Sequence, residues 1–302
     1  MNILITGGSG FLGRNLNSYL KKNNKNHIVS LSSKQADLRD SKSLNQFNNL
    51  KFDKIYHLAA WTQAGDFSLY HSGEQWIYNQ QINANILSWW KNYQQQSKII
   101  SIGTSCSYEE GGSLEEENYL KGQPIKSLYA YGMCKRMLYI GQQNLAKQFG
   151  LKYLTVVPST LYGPGYEIQN KIPHFIFDVI KKIILAKKNN LKVELWGDGF
   201  QKRELVHVND FIKQMILLEN NCENEIVNIG AGQEFEIRYF AKLICEIVNF
   251  DFNEIKFNEN KYTGAKSKNL SVKKLRTILP DYEQIYLKDG LKETIIDLEK
   301  KI

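Results

Sequence analysis

Cysteine is scarce and scattered in this chain: Cys106, Cys134, Cys222 and Cys245 are the four in 302 residues, and no two form a C-x-x-C pair. That spacing argues against a disulfide scaffold and against zinc frameworks. No metal site is expected, and a reducing cytoplasm is the expected compartment. No apolar run approaches the roughly 18 residues of a membrane span, so no membrane association is expected. Met1-Asn2-Ile3-Leu4-Ile5 does not read as a signal peptide. The five prolines build no Pro- or Gly/Ser-rich linker, and no internal repeat is visible. Charge of one sign is not concentrated either. Lys+Arg number 39 against 31 Asp+Glu, leaving +8, but the lysines are dispersed instead of gathered in an arm. A nucleic-acid partner is therefore not expected, whereas an anionic small molecule suits the basic balance.

What the chain does have is alternation. Short apolar runs at Asn2–Thr6, His27–Leu31, Lys54–Leu58, Lys98–Ile102 and Lys152–Val157 are separated by helix-length segments. The clearest helices are Phe11–Lys22, Trp76–Gln95, Tyr131–Phe149 and Pro173–Lys188. This pattern predicts an α/β fold, a Rossmann-type doubly wound parallel sheet whose ligands lie beyond the C-terminal strand ends. Past residue 165 the alternation weakens. Val193–Leu195 and Ile226–Ile229 read as further strands, the second returning to the main sheet.

The first strand runs straight into Gly7-Gly8-Ser9-Gly10-Phe11-Leu12-Gly13. A turn this sharp needs a residue tolerant of positive φ, a pyrophosphate must approach backbone without a Cβ in the way, and the helix must pack closely on its strand. Gly7, Gly10 and Gly13 supply these three services, and the helix N-terminus offers free N–H groups to phosphate. The spacing is G-x-x-G-x-x-G. A dinucleotide-binding domain of residues 1–165 follows, with about 206–240 returning to it. Residues 166–205 and 241–302 are expected to form a smaller, discontinuous substrate lobe. After the second strand, Ser32-Ser33-Lys34 holds no acid for the ribose hydroxyls and no arginine for a 2′-phosphate. Asp37-Leu38 can cap the adenine edge. The cofactor is therefore expected to be NAD, with NADP left open by Lys34.

Tyr131 and Lys135 stand four residues apart, so on a helix they share one face. Hydride transfer at a carbinol moves a proton at the same oxygen, and a tyrosine whose pKa is lowered by a lysine cation serves that step. A hydroxyl just past a central strand completes the set: Thr104, in Gly103-Thr104-Ser105-Cys106-Ser107-Tyr108, with Ser105 as its alternative.

Together these residues resemble the extended short-chain dehydrogenase/reductase family, the nucleotide-sugar epimerases, dehydratases and reductases. The likeness runs through Thr6–Gly13, Asp37-Leu38, His57-Leu58-Ala59-Ala60, Asn79, Asn85, the Thr104/Tyr131/Lys135 triad, Pro158–Pro164 and Arg203–Asp210. It implies a cofactor site of Gly7, Gly10, Phe11, Leu12, Gly13, Ser33, Asp37, Leu38, Leu58, Ala59, Ala60, Asn79, Tyr131, Lys135 and Pro158. Within the family the chain is most similar to the GDP-L-fucose synthase group, through Gly103–Tyr108 and through Trp196-Gly197-Asp198-Gly199 followed by Arg203-Glu204. In that group a cysteine and a histidine epimerise C3 and C5 before the 4-keto group is reduced. Cys106 falls on the cysteine position, but Asn170 falls on the histidine, with His174 four residues later. The arginines that hold the 2′-phosphate in the group fall on Ser9 and Ser33.

The expectation is thus an NAD(P)-dependent oxidoreductase at C4 of a nucleotide-diphosphate sugar, a GDP-manno-configured hexose or heptose. It resembles the GDP-mannoheptose dehydrogenase and reductase branch of bacterial capsule synthesis. Substrate contacts are expected from Cys106, Asn170, Trp196, Arg203 and Lys268. Three of them have an alternative: Cys106 inert, Trp196 in the core, Arg203 paired with Glu204. A full 3,5-epimerase/4-reductase and a non-catalytic dinucleotide-binding protein are the competing functions. A homodimer is expected, with Trp89-Trp90 and Tyr139-Ile140 as either its surface or core.

Overall fold

The computed structural model describes residues 1–168, 173–261 and 266–302. Along the chain, β1 (Asn2–Thr6), α1 (Phe11–Lys21), β2 (His27–Leu31) and β3 (Lys54–His57) lead to α2 (Phe67–Tyr70) and α3 (Ser72–Tyr93). Then come β4 (Lys98–Ile102), α4 (Tyr129–Phe149), β5 (Lys152–Pro158), β6 (Thr160–Tyr162), α5 (Phe175–Asn189) and β7 (Val193–Trp196). After them follow β8 (Lys202–Arg203), β9 (Leu205–His207), α6 (Val208–Asn221) and β10 (Glu225–Ile229). β11 (Phe235–Glu236), α7 (Ile237–Val248), β12 (Ile255–Asn258), α8 (Lys273–Ile278) and α9 (Leu287–Glu299) close the sequence of elements.

Six strands form one parallel sheet in the order β10-β5-β4-β3-β1-β2. Ile3, Leu4 and Ile5 are wholly buried, as a central parallel strand covered on both faces requires. The chain leaves β1 for β2 on one side and returns to β3 on the other. Strand order therefore switches between β1 and β3, the place where such sheets bind their ligands. β10 does return to this sheet, with Ile229 level with Pro158 of β5.

One face of the sheet is covered by Ile86, Trp89 and Trp90 of α3 and Tyr139 of α4, packed against Ile55, Ile99 and Tyr153. Trp89, Trp90 and Tyr139 are thus core and not surface, while Ile140 is half-buried; the Trp90 indole donates to the Ser97 carbonyl at 3.0 Å. The other face carries Leu16 and Leu20 of α1 with Phe211 and Met215 of α6. α4 stops because Gly150 takes a left-handed conformation, φ +67°, the common helix C-terminus. A third apolar cluster joins Phe177, Ile180 and Ile183 of α5 to Phe240 and Ile244 of α7 and Leu291 and Ile295 of α9. It is roofed by the parallel pair β7 and β12. The spacing of Phe240, Ala241, Ile244, Cys245 and Val248 gives α7 one apolar stripe.

Candidate active site

The switch point is built from three tight contacts. Gly7 has φ +69°, and a Cβ there would lie 2.8 Å from Ala59 N and 2.9 Å from the Leu58 carbonyl carbon. The β1 turn is therefore pressed against the segment leaving β3. A Cβ at Gly13 would collide with the Gly7 carbonyl oxygen, so α1 packs on its strand only with glycine there. Gly10 differs: a Cβ would meet nothing but the Gly7 oxygen at 3.2 Å, and its free side faces solvent at the head of α1. That N-terminus has no side-chain cap and no acid in its first turn, which leaves amide donors for an anion. The turn thus fits a dinucleotide pyrophosphate. Phe11 offers only its backbone to such a ligand, since its ring packs edge-on to Tyr166 and Phe177 at 5.4 and 5.8 Å. Leu12 likewise leans on the sheet core.

Beside the turn, the Thr6 hydroxyl sits 2.9 Å from His57 Nδ1 and accepts the Ala59 N–H at 3.3 Å. Leu58, Ala59 and Ala60 stay partly exposed along this edge. Asn79 is buried, and its amide brackets Trp61: Oδ1 accepts the Trp61 N–H and Nδ2 donates to the Trp61 carbonyl, both at 2.9 Å. Its visible work is to fix the 59–61 segment. Leu38 is core, while Ser33 and Lys34 are exposed. The Asp37 carboxylate takes both Nε and Nη2 of Arg39, a forked pair that holds its pKa below the usual carboxylate value. The Arg39 guanidinium lies 5.0 Å from the Tyr78 ring centre.

At the end of β4, Thr104 opens a one-turn helix and its Oγ1 accepts the Cys106 N–H at 3.3 Å. The head of α4 rests directly on this turn. A Cβ at Gly132 would be 2.8 Å from the Cys106 carbonyl oxygen, and Ser107 Oγ donates to the Gly132 carbonyl at 2.9 Å. Thr104, Cys106 and Tyr131 are thereby brought together. One turn later Lys135, only 4% exposed, holds its ammonium 5.8 Å from the Tyr131 ring centre. Among the described residues no carboxylate pairs with it, and burial pulls its pKa down to about 8. The expected lowering of the tyrosine is not what the cleft produces by itself: burial first, then the Cys106 charge, pushes the Tyr131 phenol up. Below the lysine lies His57, wholly buried, its pKa driven to about 3 by burial and by the Lys135 charge. It is a neutral imidazole at any working pH.

Lys268 comes in from the far end of the chain, and its Nζ stands 3.2 Å from Cys106 Sγ. Burial pushes this thiol up, but the Lys268 charge and hydrogen bonds from Thr104, Lys268 and Ser105 leave it below its ordinary value. His174, exposed at the head of α5, is held below its ordinary value by the desolvating cleft wall first and by the Lys268 charge second. Pro158 ends β5 at the sheet's C-terminal edge, and the buried Ser159 Oγ beside it has no partner among the described residues. Trp196 is 48% exposed at the end of β7, with the Lys182 ammonium 5.8 Å from its ring, so it is not core. Arg203 lies on β8 with Nη1 donating to the Lys202 carbonyl at 2.7 Å. Asn170 lies outside the described residues.

The model of the NAD dependent epimerase/dehydratase family matches residues 3–230. The chain belongs to that family. It is an NAD(P)-dependent enzyme, as the sequence resemblance implied. A GDP-L-fucose synthase of Dictyostelium discoideum is 28% identical over 300 residues, covering 97% of this chain and 93% of the relative. A GDP-L-fucose synthetase of Naegleria fowleri solved with NADP superposes with TM-score 0.87 at 25% identity, over 99% of this chain and 94% of the other. A GDP-6-OMe-4-keto-L-xylo-heptose reductase from C. jejuni shares the fold at TM-score 0.90 and 21% identity, over 100% of this chain and 98% of the other.

Two residues near the site take roles that the sequence did not signal. Arg136, directly after Lys135, is buried and donates to the carbonyls of Ser107, Lys121 and Gly122 at 2.8, 2.6 and 2.7 Å. It ties the segment after Cys106 to α4. Glu204 reads as a partner for Arg203, yet its carboxylate turns inward to backbone amides of Gly232 and Leu270.

Proposed function

We propose that this chain is an NAD-preferring oxidoreductase acting at the C4 hydroxyl or 4-keto group of a GDP-linked, manno-configured hexose or heptose. The observation that carries the reading is the buried, acid-free Lys135 ammonium beside Tyr131, at the strand switch that the glycine turn and Ala59 line. A nicotinamide bound here would supply hydride chemistry at the sugar carbon. Tyr131 exchanges the proton of the C4 oxygen and Thr104 orients that oxygen by hydrogen bonding. Lys135 holds the ribose next to the tyrosine and places a positive charge where a phenolate forms. The turn at Gly7, Gly10 and Gly13 receives the pyrophosphate, Asp37 takes the adenine edge, and Pro158 flanks the nicotinamide. Arg203 and Lys268 meet the diphosphate of the sugar nucleotide, with Trp196 at the base.

The GDP-sugar assignment is supported by the substrates named for the relatives, and the NAD preference by Ser9 and Ser33 with Arg39 committed to Asp37. Residues 1–165 with about 206–240 form the dinucleotide domain, and 166–205 with 241–302 the substrate lobe. The protein works as a homodimer through α3 and α4, where Trp76, Ile77 and Met137 are exposed, and in a capsule-type sugar pathway of the cytoplasm. The test is to identify the nucleotide retained by purified protein and then to screen GDP-, UDP- and dTDP-sugars for absorbance change of the reduced nicotinamide. No turnover of any GDP-sugar overturns the proposal.

One observation favours a second reading. The Lys268-paired Cys106 and the nearby His174 supply a thiol and an imidazole in one cleft. A 3,5-epimerase/4-reductase would use them to exchange C3 and C5 protons with deuterated solvent; a C4 oxidoreductase leaves both in place.

A further inference from the structure

Glu204 is 1% exposed, at the junction of β8 and β9. Its Oε1 accepts the Gly232 N–H at 2.7 Å and its Oε2 the Leu270 N–H at 3.0 Å. The loop after β10 is pressed against it, since a Cβ on Gly230 would sit 2.5 Å from Oε1. Leu270 lies two residues beyond Lys268, the residue whose Nζ reaches Cys106 Sγ. The next residue is held too: Ser271 N–H donates to the Leu114 carbonyl, and Asn228 Nδ2 donates to the Ser271 carbonyl, both at 3.1 Å. On the other side, among the described residues, Lys202 N–H to the Lys266 carbonyl at 2.8 Å and the exposed Ser267 hydroxyl on Glu234 restrain the approach. Among these restraints the bond to Glu204 is the one nearest Lys268 that ends on a buried carboxylate. Burial pushes the Glu204 carboxyl up to about 7 against the pull of these amide hydrogen bonds. Near neutral pH it is therefore partly ionised, and the amide bonds strengthen as it ionises.

We propose that Glu204 is a positioning residue: its buried carboxylate fixes the 268–271 segment so that the Lys268 ammonium meets Cys106 from across the cleft. Glu204 acts through Leu270 and touches no substrate. Glu204→Gln keeps the shape but turns one acceptor into an N–H2 group facing a backbone N–H, so one of the two segments must move. The consequence for turnover rests on the proposed function, which sets Lys268 beside the sugar nucleotide. The thiol measurement does not.

The full chain is treated with iodoacetamide near neutral pH, and carbamidomethylation of Cys106 is followed by peptide mass spectrometry. Cys134, Cys222 and Cys245 are buried and serve as internal controls. The thiolate is the reactive form, so losing the neighbouring ammonium that holds the thiol's pKa down slows alkylation severalfold. K268M is expected to show that slowing, E204Q to match it, and E204D to fall between E204Q and wild type. The E204Q/K268M double variant should be no slower than K268M alone. A wild-type rate in folded E204Q, whatever its melting temperature, overturns the proposal. So does a wild-type rate in K268M or an additive double variant. If E204Q does not fold, E204D carries the comparison, and a wild-type rate there has the same force. In turnover, E204Q is expected to raise KM for the sugar nucleotide while cofactor affinity stays put. If the thiol results hold but the wild-type protein turns over no sugar nucleotide, the positioning role stands and the functional reading falls.

Discussion

Replacing Lys135 by methionine should make the protein more stable while silencing it. The ammonium is held in a cleft where burial lowers its pKa from 10.5 to about 8 and no described carboxylate pays it back. A depression of that size costs the folded state about 3 kcal/mol. Methionine fills the same channel with an unbranched apolar chain, so most of that cost is recovered, less a fraction for imperfect packing. For a chain of this length the unfolding entropy is about 0.6 kcal/mol per kelvin, so the melting temperature should rise by about 5 °C. The pH dependence supplies a second check. At pH 7 the lysine is protonated both folded and unfolded, and the folded state bears the whole penalty. Between about pH 8 and 10.5 the folded chain has released its proton and the unfolded chain has not, so wild-type stability climbs with pH relative to the variant. Thermal melts of both proteins at pH 7 and at pH 10 measure this directly. A variant that melts at or below wild type at pH 7, or a gap that fails to narrow in alkali, refutes the account of Lys135 as an unpaired buried cation.

Four further outcomes are expected. Tyr131→Phe should cut kcat by about 10²- to 10⁴-fold, with cofactor affinity by titration unchanged; near-normal turnover would remove Tyr131 from proton transfer. Gly13→Ala drives a methyl into the Gly7 carbonyl, so it should destabilise by about 1–3 kcal/mol and abolish the rise in melting temperature on adding cofactor. Ser9→Arg with Ser33→Arg should move the ratio of kcat/KM from NAD towards NADP, and wild type should favour NAD; an NADP preference in wild type would reverse the 2′-hydroxyl reading. Ile77→Glu with Met137→Glu should convert the dimer to monomer in sedimentation, and a wild-type monomer would overturn the α3/α4 interface.

The sheet was legible in the sequence because its signals are local. β1, β2 and β4 begin and end where the apolar runs do, and the glycine turn announces the switch point by residue type alone. α3 begins at Ser72, earlier than the apolar periodicity places it. The first turn is held by polar bonds instead, with Gln75 buried and its Nε2 donating to Thr62 Oγ1 at 3.1 Å. β6, β8, β9 and β11 are two or three residues long and exist only as partners of distant segments, so no window of sequence contains them. Tyr131 and Lys135 were readable because one helix carries both. Cys106 and Lys268 are 162 residues apart, and their meeting depends on packing that a pattern of residue types does not encode. Nonlocal partners, 28 and 66 residues away, also hid the inward turn of Glu204, since adjacency to Arg203 suggested an ion pair.

The disposition of charge explains why those nonlocal contacts matter. Two acids near the site are engaged without touching the site's own cations. Asp37 is taken by Arg39, which lies over Tyr78, and Glu204 by the amides of Gly232 and Leu270. Lys135 is left facing a phenol ring and a neutral His57, and Lys268 facing a thiol. With those two acids engaged elsewhere, the Lys135 and Lys268 ammonium groups stand in a partly dehydrated space, where charge acts more strongly than in water. Such a cleft suits the anionic ligands of the proposed function. The modest +8 of the whole chain gives no hint of this, because the effect comes from which acids are committed, not from how many there are. Replacing Glu204 or Arg39 therefore disturbs ligand binding by releasing a partner from its post, although neither residue needs to touch a ligand.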